Sequence, residues 1–162
     1  MANVKSLPDC FEEILDAAHQ RLKDAIEPVN GDPGPLHDVR LESIVRGNRA
    51  RPMPELPSLW VFGEAATQDH TTQGLGEQWV WPVVVAAIVK NEMPEDGYRE
   101  ATDLASRAMQ ELLGRDRRLG LNFVNDVTAS SFEPSSAQNS DEKRSLFWAD
   151  GVVQVRFRRI EP

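Results

Sequence analysis

The stretch from Trp79 to Lys90, WVWPVVVAAIVK, constrains this chain more than any other, because it is a strand-like run with no polar face. In an extended chain successive side chains alternate sides, so Trp79, Trp81, Val83, Val85, Ala87 and Val89 share one face and Val80, Val84, Ala86 and Ile88 the other. A sheet that gives one face to water carries polar residues there; a strand apolar on both faces has to be covered twice. The chain offers only two strong helical stripes, and these are expected to cover one face. The second is then left for another copy of the chain or for a partner, and the sequence does not say which face is which. Pro82 has no N–H for a ladder, which places this strand at a sheet edge or puts a bulge at that point.

The first helix is expected from Asp9 to Ile26, with Asp9 as cap and Glu12 reaching back to it, and with Phe11, Ile14, Leu15, Ala18, Leu22, Ala25 and Ile26 on one stripe. Pro28 ends it. His19 lies off the centre of the stripe and reads as an exposed polar residue. Residues 28 to 57 hold Pro28, Pro33, Pro35, Pro52, Pro54 and Pro57 and read as an extended arm, within which Val39 to Val45 suits either a short strand or a helical turn. Arg46, Arg49 and Arg51 fall in that arm. In an acidic chain they are read as a solvated loop pairing with carboxylates.

Leu59 to Phe62 is expected to pair with the long apolar strand as a hairpin with an extended tip, Thr67 to Glu77. The Gly74-Leu75-Gly76 spacing within the tip lacks the third glycine and following helix of a nucleotide fingerprint. A second helix from Glu95 to Leu113 carries Tyr98, Ala101, Leu104, Ala105, Ala108, Met109, Leu112 and Leu113 at helical spacing and stops at Gly114; Arg115, Arg117 and Arg118 are read as a helix-end device. Asn122 to Phe132 and Leu146 to Arg158 are strands, the latter with Val153, Val155 and Phe157 facing in and Gln154, Arg156 and Arg158 facing out. Residues 133 to 145, polar throughout, are expected to be mobile. The result is one α+β domain over residues 1–162, in the order α-β-β-α-β-β, with a four-stranded mostly antiparallel sheet and both helices on one face.

Function classes narrow by exclusion. A net charge of −8 opposes general nucleic-acid binding, and the single Cys10 forms no internal disulfide framework or paired-cysteine zinc site. No apolar run approaches the ~18 residues of a membrane span, so a soluble protein of the reducing cytoplasm is expected. His19, His37 and His70 stand in no catalytic or metal-binding motif, so no cofactor and no catalytic residue is assigned. An enzyme using Asp69, His70 or Cys10 stays as a minor reading. Trp60, Trp79, Trp81 and Trp148 all fall on strands, where core packing is their ordinary role, though subunit interfaces also favour such anchors.

The order of helix, Pro-rich arm, a short strand in LPSLWVF, long loop, apolar strand, helix, strand, polar loop and a final VVQVRFRR strand resembles the tail terminator and tail-completion proteins of long-tailed bacteriophages, over Phe11 to Arg159. The resemblance implies a virion protein assembled in the host cytoplasm into a ring, commonly hexameric. Such a ring caps the tail tube, stops its polymerisation and docks the head connector or a neck protein, and genomic DNA would pass its lumen unbound. Trp79, Trp81, Val83 and Val85, with outward-facing Arg156 and Arg158, are then the expected subunit or tail-tube interface. The alternative is a ferredoxin-like oligomeric domain that binds a small molecule or regulates, supported if Trp60 and Trp81 line one pocket.

Overall fold

The computed structural model describes residues 5–47, 52–69, 77–114, 116–136, 140–141, 143 and 145–159. Helix α1, Leu7–Asp24, starts earlier than its sequence suggests because Ser6 is the cap: its Oγ accepts the Asp9 N–H at 3.2 Å, and Pro8 fits the first turn, where no N–H is needed. Asp9 is therefore a first-turn acid and not the cap. Cys10, Ile14, Ala18 and Leu22 form the buried stripe. Helix α2, Pro94–Leu112, buries Gly97, Ala101, Leu104, Ala105, Ala108, Met109 and Leu112. Its small residues let it approach the sheet closely.

Among the described residues seven strands make one mixed sheet in the order β1-β2-β4-β7-β5: β1 Ile44–Arg46, β2 Ser58–Gly63, β4 Gln78–Lys90, β7 Leu146–Arg158 and β5 Val124–Glu133. Two short strands join off this path, β3 (Thr67–Asp69) on β4 and β6 (Ser140–Asp141) on β7. The four strands expected from sequence are the long members, β2, β4, β5 and β7, and all their mutual pairings are antiparallel. Four is corrected to seven because the arm and the two loops each lend a short strand. The sheet is mixed because β1 runs parallel to β2, Ile44 opposite Leu59 and Arg46 opposite Val61.

The long strand lies at the centre, between β2 and β7, and the reason is visible at Pro82. A residue in a strand turns its N–H and C=O to the same side, and the Pro82 carbonyl accepts the Glu64 N–H at 2.9 Å. Its missing N–H therefore points to the stretch between β2 and β3, where the neighbouring ladder is interrupted anyway. An interrupted neighbour lets a central strand hold a proline.

Both helices cover the same side. Leu59 and Val61 of β2, Val83, Val85, Ala87 and Val89 of β4, and Phe147, Ala149, Val153, Val155 and Phe157 of β7 form one core with the two helix stripes. The Pro-rich segment is not the extended arm its prolines suggest. It folds back as a third part of this layer, with Leu36, Val39 and Ile44 buried in the same core. Val39 to Val45 turns out to contain both a helical turn, Leu41–Ser43, and the start of a strand. The arm is fastened by polar contacts too. His19 Nε2 lies 2.7 Å from the Ile44 carbonyl, so it is a half-buried tether and not a free surface residue. Arg46 pairs with Glu12 at 2.9 Å and with Asp16, as its acidic surroundings suggest, while Arg49 and Arg51 lie outside the described residues.

Candidate functional site

The sheet's second face is the one the helices leave uncovered, and its centre is closed by the chain's own large side chains. Trp60 stands opposite Ala86 and Trp148 opposite Ile88, so two indoles lie beside the small and medium residues of β4. Trp60, Ala86 and Ile88 form a second apolar cluster with Val45, Leu56, Phe62 and Trp148 half-buried around it. The Trp60 indole N–H finds an acceptor within the face, donating to the buried Ser58 Oγ at 3.0 Å. Val84 is only 1% exposed. What remains open is a belt of half-buried apolar groups, Phe62, Val80, Pro82, Trp148 and Val152, continuing into Gln154, Arg156 and Arg158 at the end of β7.

The interface residues expected from sequence are divided by this geometry. Val83 and Val85 are 1% and 0% exposed and lie under the helices, so within the chain they are core. Trp81 is locked there as well: its ring lies 4.4 Å from that of Phe11, packs on Gly63, and its Nε1 donates to the Glu64 carbonyl at 2.6 Å. Trp79 packs on the same core, half-buried, with an Nε1 that is buried and has no hydrogen-bond partner. Arg156 and Arg158 are the members that project from the opposite, helix-free face. Period-two alternation puts these residues on two faces correctly; which face the helices choose depends on tertiary packing that the alternation does not encode.

Arg156 approaches Asp126 Oδ1 only to 4.0 Å, and the buried Arg158 Nε makes no hydrogen bond. Beside them a shallow hollow of about 430 Å³ is lined by Thr67, Gln68, Asp69, Val80, Gln154 and Arg156. The end of β7 is held firmly against the first residues and the far loop: Arg159 donates to the Lys5 carbonyl at 3.0 Å and to Glu77 Oε2 at 2.7 Å.

Other candidate groups do not converge. Trp60 and Trp81 sit on opposite faces of the sheet and cannot line one pocket. Cys10 is fully buried in the helix stripe, and that burial pushes its thiol pKa up, against the activated thiolate a helix start would favour. Asp69 lies in β3, and His70, with the rest of the tip from 70 to 76, is outside the described residues. Arg118 binds the Asn122 and Val124 carbonyls and shapes the entry into β5, so it is not a cap for α2; Arg115 is outside the described residues. The polar segment 133–145 is partly structured: β5 runs to Glu133, Ser135 N–H donates to Thr102 Oγ1 at 3.0 Å, and Ser140–Asp141 pairs with β7. A cavity of about 270 Å³ between arm and α2 is lined by apolar Leu56, Pro57, Val89 and Leu104, by Asp38, Asp103 and Arg107, which pair with one another, by Glu100, which accepts from Asn91, and by Lys90. Among the described residues no three His, Cys, Asp or Glu side chains are grouped to hold a metal, and no helix is long and apolar enough to cross a membrane.

The architecture is an α+β sheet with one helix-covered face and one largely self-covered apolar face ending in arginines. No protein-family model matches the chain, and no curated protein matches it. Among solved structures, a chain from the virion of a native gene transfer agent particle has a similar fold, at 17% sequence identity and a TM-score of 0.59, over 92% of this chain and 95% of that one. At that identity the likeness is one of fold.

Proposed function

We propose that this chain is a structural component of a phage-like virion, of the tail-terminator kind. In this reading it assembles in the host cytoplasm into a ring, a hexamer, at the head-proximal end of the tail tube. There it ends tube polymerisation and offers a docking surface to the head connector, while DNA passes through the lumen without specific contacts. The observation that carries the reading is the likeness, nearly end to end in both chains, to a subunit of a gene transfer agent virion. The helix-free apolar face suits it, since an assembly protein needs surfaces and not a reaction centre. The small-molecule alternative loses its main support because Trp60 and Trp81 face opposite ways. The test is coexpression with the tail tube protein of the same particle, followed by negative-stain microscopy. Tubes of regulated length with a ring at one end are expected; tubes that grow without limit and carry no ring would overturn the proposal.

A further inference from the structure

We infer that copies of this chain associate head to tail, the Arg156–Arg158 end of one open sheet face receiving the acidic turn that opens α2 of the next copy. The inference rests on the ring reading above and names its two surfaces. The β4–β7 pair is the long axis of the sheet, running from Gln78 opposite Arg158 to Lys90 opposite Leu146, about 40 Å at the usual rise of a strand. At the first end the open face presents exposed Arg156 and half-buried Arg158. Asp126 partly offsets Arg156, and Asp69 stands in the adjoining hollow, which leaves Arg158, with its buried, unbonded Nε, as the surplus charge. Arg158 as a whole is only half-buried, so a carboxylate arriving from outside can pair with its guanidinium.

At the far end, just past exposed Lys90, lie Glu92, Met93, Glu95 and Asp96, all exposed, with Met93 open to 62%. Here an apolar side chain is flanked by three carboxylates against one lysine. That composition complements the other end, where half-buried Val80 and Val152 adjoin the arginines. Two like ends brought together would set arginine against arginine or carboxylate against carboxylate, so only contacts that join unlike ends are favoured. Unlike ends can meet twice about a two-fold axis or once per junction, head to tail; the ring reading requires the second, a heterologous contact that closes when its rotation permits.

The test uses the whole chain, sedimentation velocity and two charge-reversed variants, Arg156→Glu with Arg158→Glu, and Glu92→Arg with Glu95→Arg. Circular dichroism first establishes that both fold. Wild type should associate with rising concentration, each variant alone should associate at least about tenfold more weakly, and an equimolar mixture should recover association because both kinds of junction are again complementary. A wild type that stays monomeric or stops at a dimer, a Glu92/Glu95 variant that associates like wild type, or a mixture that does not recover would each overturn the inference. The tube-capping assay separates this from the function: a chain that associates head to tail yet leaves tubes uncapped would sink the terminator reading alone, and a monomer that still caps tubes would sink only this one.

Discussion

Arg107 ties the folded-back arm to α2, as His19 and Arg46 tie it to α1. Its guanidinium donates to both Asp38 oxygens at 2.9 Å and to the Pro35 carbonyl at 2.6 Å, and its Nε is engaged by Asp103 one turn earlier on α2. The hydrogen bonds from Arg107 hold the Asp38 carboxyl below its ordinary pKa. Because the folded carboxyl keeps its charge to lower pH than the unfolded one, the pair's contribution is complete above the ordinary carboxylate value and is lost as pH falls through the lowered one. Both partners remain partly exposed, which limits the effect. Asp38→Asn should therefore lower the unfolding free energy by about 1 kcal/mol at neutral pH. In urea titrations that deficit should shrink steadily below about pH 4, and a deficit independent of pH would show that the charge is not its source.

Elements were legible in the sequence where periodicity is long and uninterrupted. Both helix stripes and the four long strands follow from it, since a repeat of about 3.6 or of 2 sustained over a dozen residues leaves few alternatives. Short pieces were not legible. The strands at Ile44–Arg46, Thr67–Asp69 and Ser140–Asp141 are two or three residues each and exist because a long neighbour offers an unpaired edge. The folded-back arm is not legible in this way, because its prolines forbid a long element but say nothing of where single apolar residues go. Leu36 is 0% exposed, and its N–H bonds the Ala25 carbonyl at 3.0 Å, closing the arm back on the end of α1. If the arm is truly part of the core, Leu36→Ala should cost about 2–5 kcal/mol; a loss under about 0.5 kcal/mol, typical of surface changes, would return it to the status of a loose extension.

Helix α2 lies close against the sheet. This closeness depends on glycine from both sides. A Cβ on Gly97 would strike the Phe147 ring, which Tyr98 already meets edge-on at a 4.8 Å centroid distance, and a Cβ on Gly151 would stand 3.0 Å from the Met109 Cβ. Alanine is ordinarily the better helix former by about 1 kcal/mol. Here Gly97→Ala should instead destabilise, by roughly 1–3 kcal/mol of overpacking, in chemical denaturation with an unchanged m-value. A stabilised variant would show that the helix can step away from the sheet at little cost.

At the scale of the whole molecule, the two apolar faces of β4 have different fates, and this separates folding from assembly. Val85 faces the helices with no exposed surface, so Val85→Asp places a carboxylate where no cation or donor can reach it; burial without a partner is prohibitive and the chain should not fold. Val152, opposite Val84 and Ser131 on the helix-free face, is half-buried with water at hand. Val152→Asp should retain the wild-type circular dichroism spectrum and a stability within about 1 kcal/mol, yet weaken self-association. Because a bound partner stabilises only the folded chain, the wild-type melting temperature should rise with protein concentration and that of the variant should not. The alternation in WVWPVVVAAIVK announced two apolar faces but not their assignment, which rests on where two distant helices and a folded-back arm find room. A Val152→Asp protein whose melting temperature still climbs with concentration as the wild type's does would place the assembly surface elsewhere and leave the open face as a second, self-sufficient core.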